Sequence, residues 1–94
     1  MMLTRINPNT VRSTSGFTVQ AIRVHDVRYT EADKSVTIAG EILAGDPGYV
    51  LYTSTLKQWD TPDNGVTLEE AKRKEIIDNI TEALHFMGVK FVLE

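Results

Sequence analysis

The chain has 94 residues, of which 41 % are hydrophobic, and this length and composition fit one globular domain. It contains no cysteine, which excludes a disulfide scaffold, a thiolate metal site and a cysteine nucleophile. No apolar run approaches the ~18 residues of a membrane span, and without the apolar stretch of a signal peptide we expect a cytoplasmic protein. The net charge is −3 and no basic stripe is present, so neither a membrane nor nucleic acid is expected as a partner.

The first sixteen residues differ in character from the rest. They are polar and rich in turn residues, so we expect residues 1–16 to be a loosely attached leader and residues 17–94 to form a single domain. From Phe17 to Tyr29 apolar residues alternate with phase changes, which predicts either one long bulged strand or two strands broken near His25. A turn at 31–34 and a further alternating run predict an antiparallel hairpin.

The second half begins with a strong turn signal and ends with a helix and a strand. Glycine and proline at 44–48 predict a turn, and the following run at 49–53 predicts a strand. Thr67 and Glu70 have the spacing of a capping box, and an apolar stripe with four- and three-residue spacing follows up to Gly88. The sequence therefore predicts an α+β fold: an antiparallel sheet of four to five strands, one long helix packed on one face, and a short C-terminal strand.

Residues capable of catalysis or metal binding are few and badly spaced. His25 and His85 have no metal-ligand spacing between them, and no nucleophile elbow, phosphate-binding glycine loop or calcium loop is present. We therefore expect no catalytic residues, no cofactor and no metal site.

Charge is distributed unevenly along the chain. Residues 1–30 carry four arginines and one aspartate, whereas residues 31–94 carry 6 basic and 12 acidic side chains. Every charged residue between Lys57 and Lys72 is acidic: Asp60, Asp63, Glu69 and Glu70. An acidic surface there would attract a basic protein. The alternative is that this charge serves only solubility.

Two larger side chains near this acidic run have more than one interpretation. Trp59, the only tryptophan, can be a core residue that anchors the loop or an exposed anchor for a partner, and the core is favoured because small domains rarely expose indole. Arg73 can cover the apolar stripe with its aliphatic stem or pair with a loop carboxylate such as Asp60.

Three features of the second half of the chain occur together: the tryptophan–acid pair at 59–60, the Arg-x-x-Ile-Ile-x-Asn-Ile helix at 73–80 and the last strand turned by Gly88. In these features the chain resembles the immunity protein 74 family of bacterial polymorphic toxin systems. The resemblance implies a non-enzymatic protein that binds a cognate toxin domain and neutralises it by occluding its active site. Our candidate partner-binding residues are Trp59, Asp60, Asp63, Glu69 and Glu70, facing a basic toxin.

Two other functions are compatible with the sequence. A small structural or adaptor module could self-associate through a sheet edge such as residues 17–29, which would give a homodimer. An enzyme acting on a small molecule would need a pocket in which polar groups such as His25 and Asp26 converge.

Overall fold

The computed structural model describes residues 2–22, 26–42, 44, 49–60 and 66–94, which form two sheets and a helix. The elements are β1 (Leu3–Asn7), β2 (Thr10–Ser13), β3 (Phe17–Ile22), β4 (Asp26–Glu31), β5 (Lys34–Ile38), β6 (Gly40–Ile42), β7 (Tyr49–Leu51), α1 (Glu70–Phe86) and β8 (Val92–Leu93). Strands β1 to β5 form an antiparallel sheet in chain order, and β6, β7 and β8 form a smaller sheet. The predicted α+β arrangement, with its long helix and short last strand, is confirmed.

The first sixteen residues correct the expectation of a loosely attached leader. Strand β1 pairs with β2, and β2 pairs with β3, so both belong to the main sheet. Val11 is fully buried, and Thr10 and Ser13 are nearly so. These two strands could not be predicted from an apolar pattern, because Val11 is the only apolar residue of β2 and one residue does not make an alternating pattern.

The alternating run from Phe17 to Tyr29 forms two strands, as one of the two alternatives predicted. Strands β3 and β4 pair with each other along their whole length, and the residues that connect them, including His25, lie outside the described chain. The predicted hairpin that follows is confirmed as β4 and β5. Because β3 and β4 are inner strands, this segment is not a sheet edge; the edges of the main sheet are β1 and β5.

One face of the main sheet carries the hydrophobic core. A cross-strand row of buried side chains runs across four strands, and it consists of Val11, Val19, Tyr29 and Val36. The helix covers this face with its buried residues Ile76, Ile80, Ala83 and Leu84. Fully burying each such aliphatic side chain contributes roughly 1.5–3 kcal/mol, so this contact between helix and sheet is the main source of stability.

The prediction for the N-terminus of α1 is wrong, and the prediction for its C-terminus is confirmed. The capping box is wrong, because the N-cap is Glu69 and no side chain caps the helix. Thr67 instead forms a bridge with Gln58, and this extended backbone cannot begin a helix. At the other end Gly88 has φ +78°, its amide donates to His85 at 3.0 Å, and the amide of Val89 donates to Leu84 at 2.9 Å. This is a Schellman C-cap, in agreement with the glycine predicted there.

In the smaller sheet the last strand, β8, pairs with β7 from the middle of the chain. This pairing is parallel, so α1 serves as the crossover between the two strands. The carbonyl of Glu94 accepts hydrogen bonds from the amide and hydroxyl of Thr53, at 2.6 and 2.8 Å. Within the described residues, no helix is both long and apolar enough for a membrane crossing.

Candidate interaction surface

Trp59 is a core residue. Its side chain is only 5 % exposed, and its amide donates to the carbonyl of Val66 at 3.0 Å. The ammonium group of Lys34 lies 5.6 Å from the centre of the ring. Trp59 therefore fixes the chain on either side of the loop, in agreement with the core interpretation, and its 5 % exposed fraction offers little surface to a partner.

Asp60 covers the outer edge of β5. Its amide donates to the carbonyl of Ser35 at 2.8 Å, and its carboxylate accepts a hydrogen bond from the amide of Thr37, also at 2.8 Å. A carboxylate that accepts from a backbone amide makes one of the stronger neutral-to-charged hydrogen bonds. The residue is exposed, and these two hydrogen bonds tie it to β5.

Arg73 points into the protein and not toward Asp60. Its Nε donates to the carbonyl of Leu56 at 2.8 Å and its Nη2 to the carbonyl of Thr53 at 2.7 Å. Its third nitrogen, Nη1, lies 3.5 Å from the exposed carboxylate of Glu70. The guanidinium thus joins the first turn of α1 to the short 3-10 turn at Thr53–Thr55. Of the two alternatives for Arg73, pairing with a loop carboxylate such as Asp60 is not observed, and the two carbonyls take that place.

The start of α1 leaves its carboxylates on the surface. Glu69 is exposed, and the side chain of Glu70 is 88 % exposed. The nearby Lys72 and Arg73 turn inward, so their charges lie closer to the body of the protein. Both glutamates also favour the helix, since its N-terminus carries a partial positive charge. Asp63, the remaining candidate, lies outside the described residues.

A polar cluster that we did not predict lies between the helix and the main sheet. The hydroxyl of Tyr29 donates to Glu31 at 2.7 Å and accepts from the side-chain amide of Asn79 at 3.0 Å. Lys72 donates to the other oxygen of Glu31 at 2.9 Å and lies equally close to Glu75. The one signal in the sequence is Asn79, a polar residue between isoleucines of the apolar stripe.

The electrostatics of this cluster follow from its contacts. Burial raises the pKa of Tyr29 far above its usual value, and the hydrogen bond to Glu31 adds to the effect. Burial alone would raise the pKa of Glu31, but hydrogen bonds from Lys72 and Tyr29 outweigh it and lower the pKa. Tyrosine therefore stays neutral and glutamate stays ionised, which suits a structural hydrogen-bond network better than a proton-transfer pair.

Replacing the carboxylate of Glu31 should change the free energy of unfolding by an amount that depends on pH. Because its folded pKa is lowered, Glu31 stabilises the fold above its unfolded value near 4.5, and this contribution is lost as the pH falls through the folded pKa. We expect Glu31→Gln to be less stable than the parent at about pH 7 and the difference to shrink toward about pH 3. Urea unfolding of both proteins across this range measures it, and a difference independent of pH would contradict the assignment.

A cleft of about 430 Å³ opens beside the same cluster. It is lined by Ser15, Gly16, Phe17, Tyr29, Glu31, Ala32, Glu75 and Asn79. Its two aromatic residues, Phe17 and Tyr29, are buried and stacked with ring centres 5.6 Å apart. Among the described residues, no group of histidine and acidic side chains is placed to hold a metal ion.

The face of the main sheet opposite the helix is polar. The residues paired across it are Thr4, Arg12, Thr18, Thr30 and Ser35, with Thr10, Gln20, Arg28 and Thr37 in the next row. Both arginines are exposed. The arginine-rich first third of the sequence thus supplies a face that is distinct from the carboxylates at the start of α1.

The comparisons with known proteins bear on this arrangement. No curated protein and no solved structure gives a significant match. Residues 19–94 match the model of the family described as immunity protein 74, and the matched region runs from β3 to the end of the chain. It includes Trp59, Asp60, Arg73 and Asn79, which anchor the loop and the helix described above. The chain therefore belongs to the immunity protein 74 family.

Proposed function

We propose that this protein binds a cognate toxin domain and neutralises it in the cytoplasm, by covering the toxin's active site or the path of its substrate. The family supports an immunity function. In this proposal the protein itself catalyses no reaction. Its role is to present a rigid surface, and the polar groups of the one cleft described above are engaged with one another, which favours binding over chemistry.

The observation that supports a specific contact surface is the exposure of the carboxylates at the start of α1. We define the acidic surface as Asp60, Glu69 and Glu70, with Asp63 as a fourth member. The backbone near these carboxylates is fixed, because Trp59 is buried next to Asp60 and Arg73 joins the first turn of the helix to the 3-10 turn. Such preorganisation lowers the entropy that binding costs.

Charge then determines the kind of toxin and how it approaches. An acidic surface attracts a basic domain and accelerates its association. The exposed Arg12 and Arg28 lie on the far side of the main sheet and would repel the same partner. A basic toxin is therefore directed to the helix side of the protein.

The direct test is co-purification with the product of the neighbouring gene. Both proteins are expressed together, and the mass of the complex is measured in solution by light scattering. We expect a stable one-to-one complex. If the two proteins elute separately, the proposed function is wrong.

Reversing one charge tests the acidic surface itself. We expect Glu69→Lys to slow association with the toxin by about two- to tenfold at low salt and to weaken the salt dependence of the rate, because the charge that attracts the partner is inverted. Glu82→Lys makes the same change in net charge on the same helix, roughly 20 Å away at 1.5 Å per residue, and is the matched control. Stopped-flow or surface plasmon resonance gives the rates.

Asp63→Lys extends this test to the adjoining loop, and the same slowing is expected. Equal association rates for Glu69→Lys and Glu82→Lys would remove the acidic surface from the interface while leaving the immunity function itself intact.

A further inference from the structure

The two edges of the main sheet differ in whether other described residues cover them. The outer edge of β5 is covered, because Asp60 bonds to the backbone of Ser35 and Thr37 and the hydroxyl of Thr55 accepts from the amide of Ala39 at 3.0 Å. At the other edge, β1 is the terminal strand, and no described element lies along its outer side. Natural sheets usually protect such an edge against pairing with another chain.

The backbone groups that β1 presents to its outer side can be identified. The amide of Thr14 donates to the carbonyl of Met2 at 2.9 Å, so Met2 and Thr14 form a hydrogen-bonded pair. Hydrogen-bonded and non-hydrogen-bonded pairs alternate along antiparallel strands. Thr4 therefore directs its amide and carbonyl toward β2, and Leu3 and Arg5 direct theirs outward.

Two exposed apolar side chains lie close to this edge. Met2 is 71 % exposed and lies two residues before Thr4, whereas Ile6 is 45 % exposed and lies within the irregular pairing between Arg5 and Asn7. The side chain of Arg5 lies on the helix side of the sheet, where it donates to the carbonyl of Met87 at the end of α1 at 3.4 Å. No charged side chain of β1 therefore projects from the other face.

We propose that β1 pairs with β1 of a second copy of this chain, antiparallel and about a two-fold axis that passes between the two Thr4 residues. In this register Leu3 of one copy faces Arg5 of the other, so the outward amides and carbonyls bond to each other. The two-fold symmetry repeats this contact on the other side of the axis. The result is one continuous ten-stranded sheet with both helices on the same face.

This register is the one that the side chains favour. Moving the axis to Arg5 would place two arginines directly opposite each other, and like charges at that position destabilise a strand pair. The irregular pairing between Arg5 and Asn7 also limits the regular part of the edge to Leu3, Thr4 and Arg5, the residues that this register pairs. Because the interface is a single short strand, we expect a dissociation constant on the order of 0.1 mM.

The test uses the protein alone, so it is independent of the toxin. Sedimentation equilibrium of the parent from about 10 µM to about 1 mM should show the average mass rising from one copy toward two. Thr4→Lys places two ammonium groups at the axis, and Thr4→Glu places two carboxylates there, so each variant should remain a monomer. An equimolar mixture of the two should dimerise again, because the opposite charges then meet at the axis.

Ile42→Lys is the control, since Ile42 is 55 % exposed on the smaller sheet and the change adds the same charge; its mass should follow that of the parent. Far-UV circular dichroism confirms that each variant is folded. Amide exchange of the parent gives a second readout, in which Leu3 and Arg5 become protected as concentration rises. A parent that stays monomeric, or a mixture of Thr4 variants that fails to dimerise, would overturn the proposal.

Discussion

Trp59→Ala should lower the free energy of unfolding by about 3–5 kcal/mol, the range for removing a large aromatic side chain from a core. The indole is 5 % exposed, so the substitution leaves a cavity as well as removing apolar contact. Domains of this size have a total stability of roughly 5–14 kcal/mol, so the loss is a large part of it. Urea unfolding followed by far-UV circular dichroism measures the change, because the only tryptophan is gone.

Trp59→Phe serves as the control for this experiment. It keeps an aromatic ring in the same space and should lose much less stability than Trp59→Ala. The result also separates a core role from an interface role. If Trp59→Ala kept the stability of the parent and only reduced toxin binding, the residue would be an exposed anchor, contrary to its burial.

Arg73→Met should cost about 2–4 kcal/mol, the second largest effect that we expect. Methionine keeps most of the aliphatic stem, so the loss reports on the guanidinium and its bonds to the carbonyls of Leu56 and Thr53. Arg73→Lys should fall between methionine and the parent, because an ammonium group lacks the planar fork that reaches both carbonyls. Thermal and urea unfolding give the three stabilities.

The ion pair with Glu70 is the competing explanation for any effect at Arg73. Glu70→Gln removes only this pair, whose atoms lie 3.5 Å apart on an exposed side chain, and it should cost less than about 1 kcal/mol. A loss as large as that of Arg73→Met would assign the role of Arg73 to the ion pair and not to the two carbonyls.

The strongly patterned parts of the fold could be predicted from the sequence. Strands β3 to β5 and the helix each carry a regular apolar repeat, and Gly88 ends the helix where a glycine is expected. Strands β1 and β2 lack such a repeat, because they contribute one fully buried apolar side chain, Val11. They are stabilised by strand pairing, β1 with β2 and β2 with β3. Pairing between strands is not encoded in the composition of either strand alone.

The residues of the candidate surface could be picked out from the sequence, but the contacts that they make could not. The acidic run and Trp59 were recognisable, yet only the fold shows that Asp60 bonds to the edge of β5 and that Arg73 bonds to two carbonyls. The capping box failed for a similar reason, since the bridge between Thr67 and Gln58 requires extended backbone where the pattern predicted a helix. Contacts between distant segments override a local preference.

The order of the elements along the chain has a consequence for synthesis. Strands β1 to β5 are joined by short connections and pair with their sequence neighbours, so they can assemble as soon as they leave the ribosome. The helix that covers their apolar face, and β8 that completes the smaller sheet, are made last. A chain released before Glu70 would present bare apolar surface to chaperones and proteases, so completed molecules should greatly outnumber fragments in the cell.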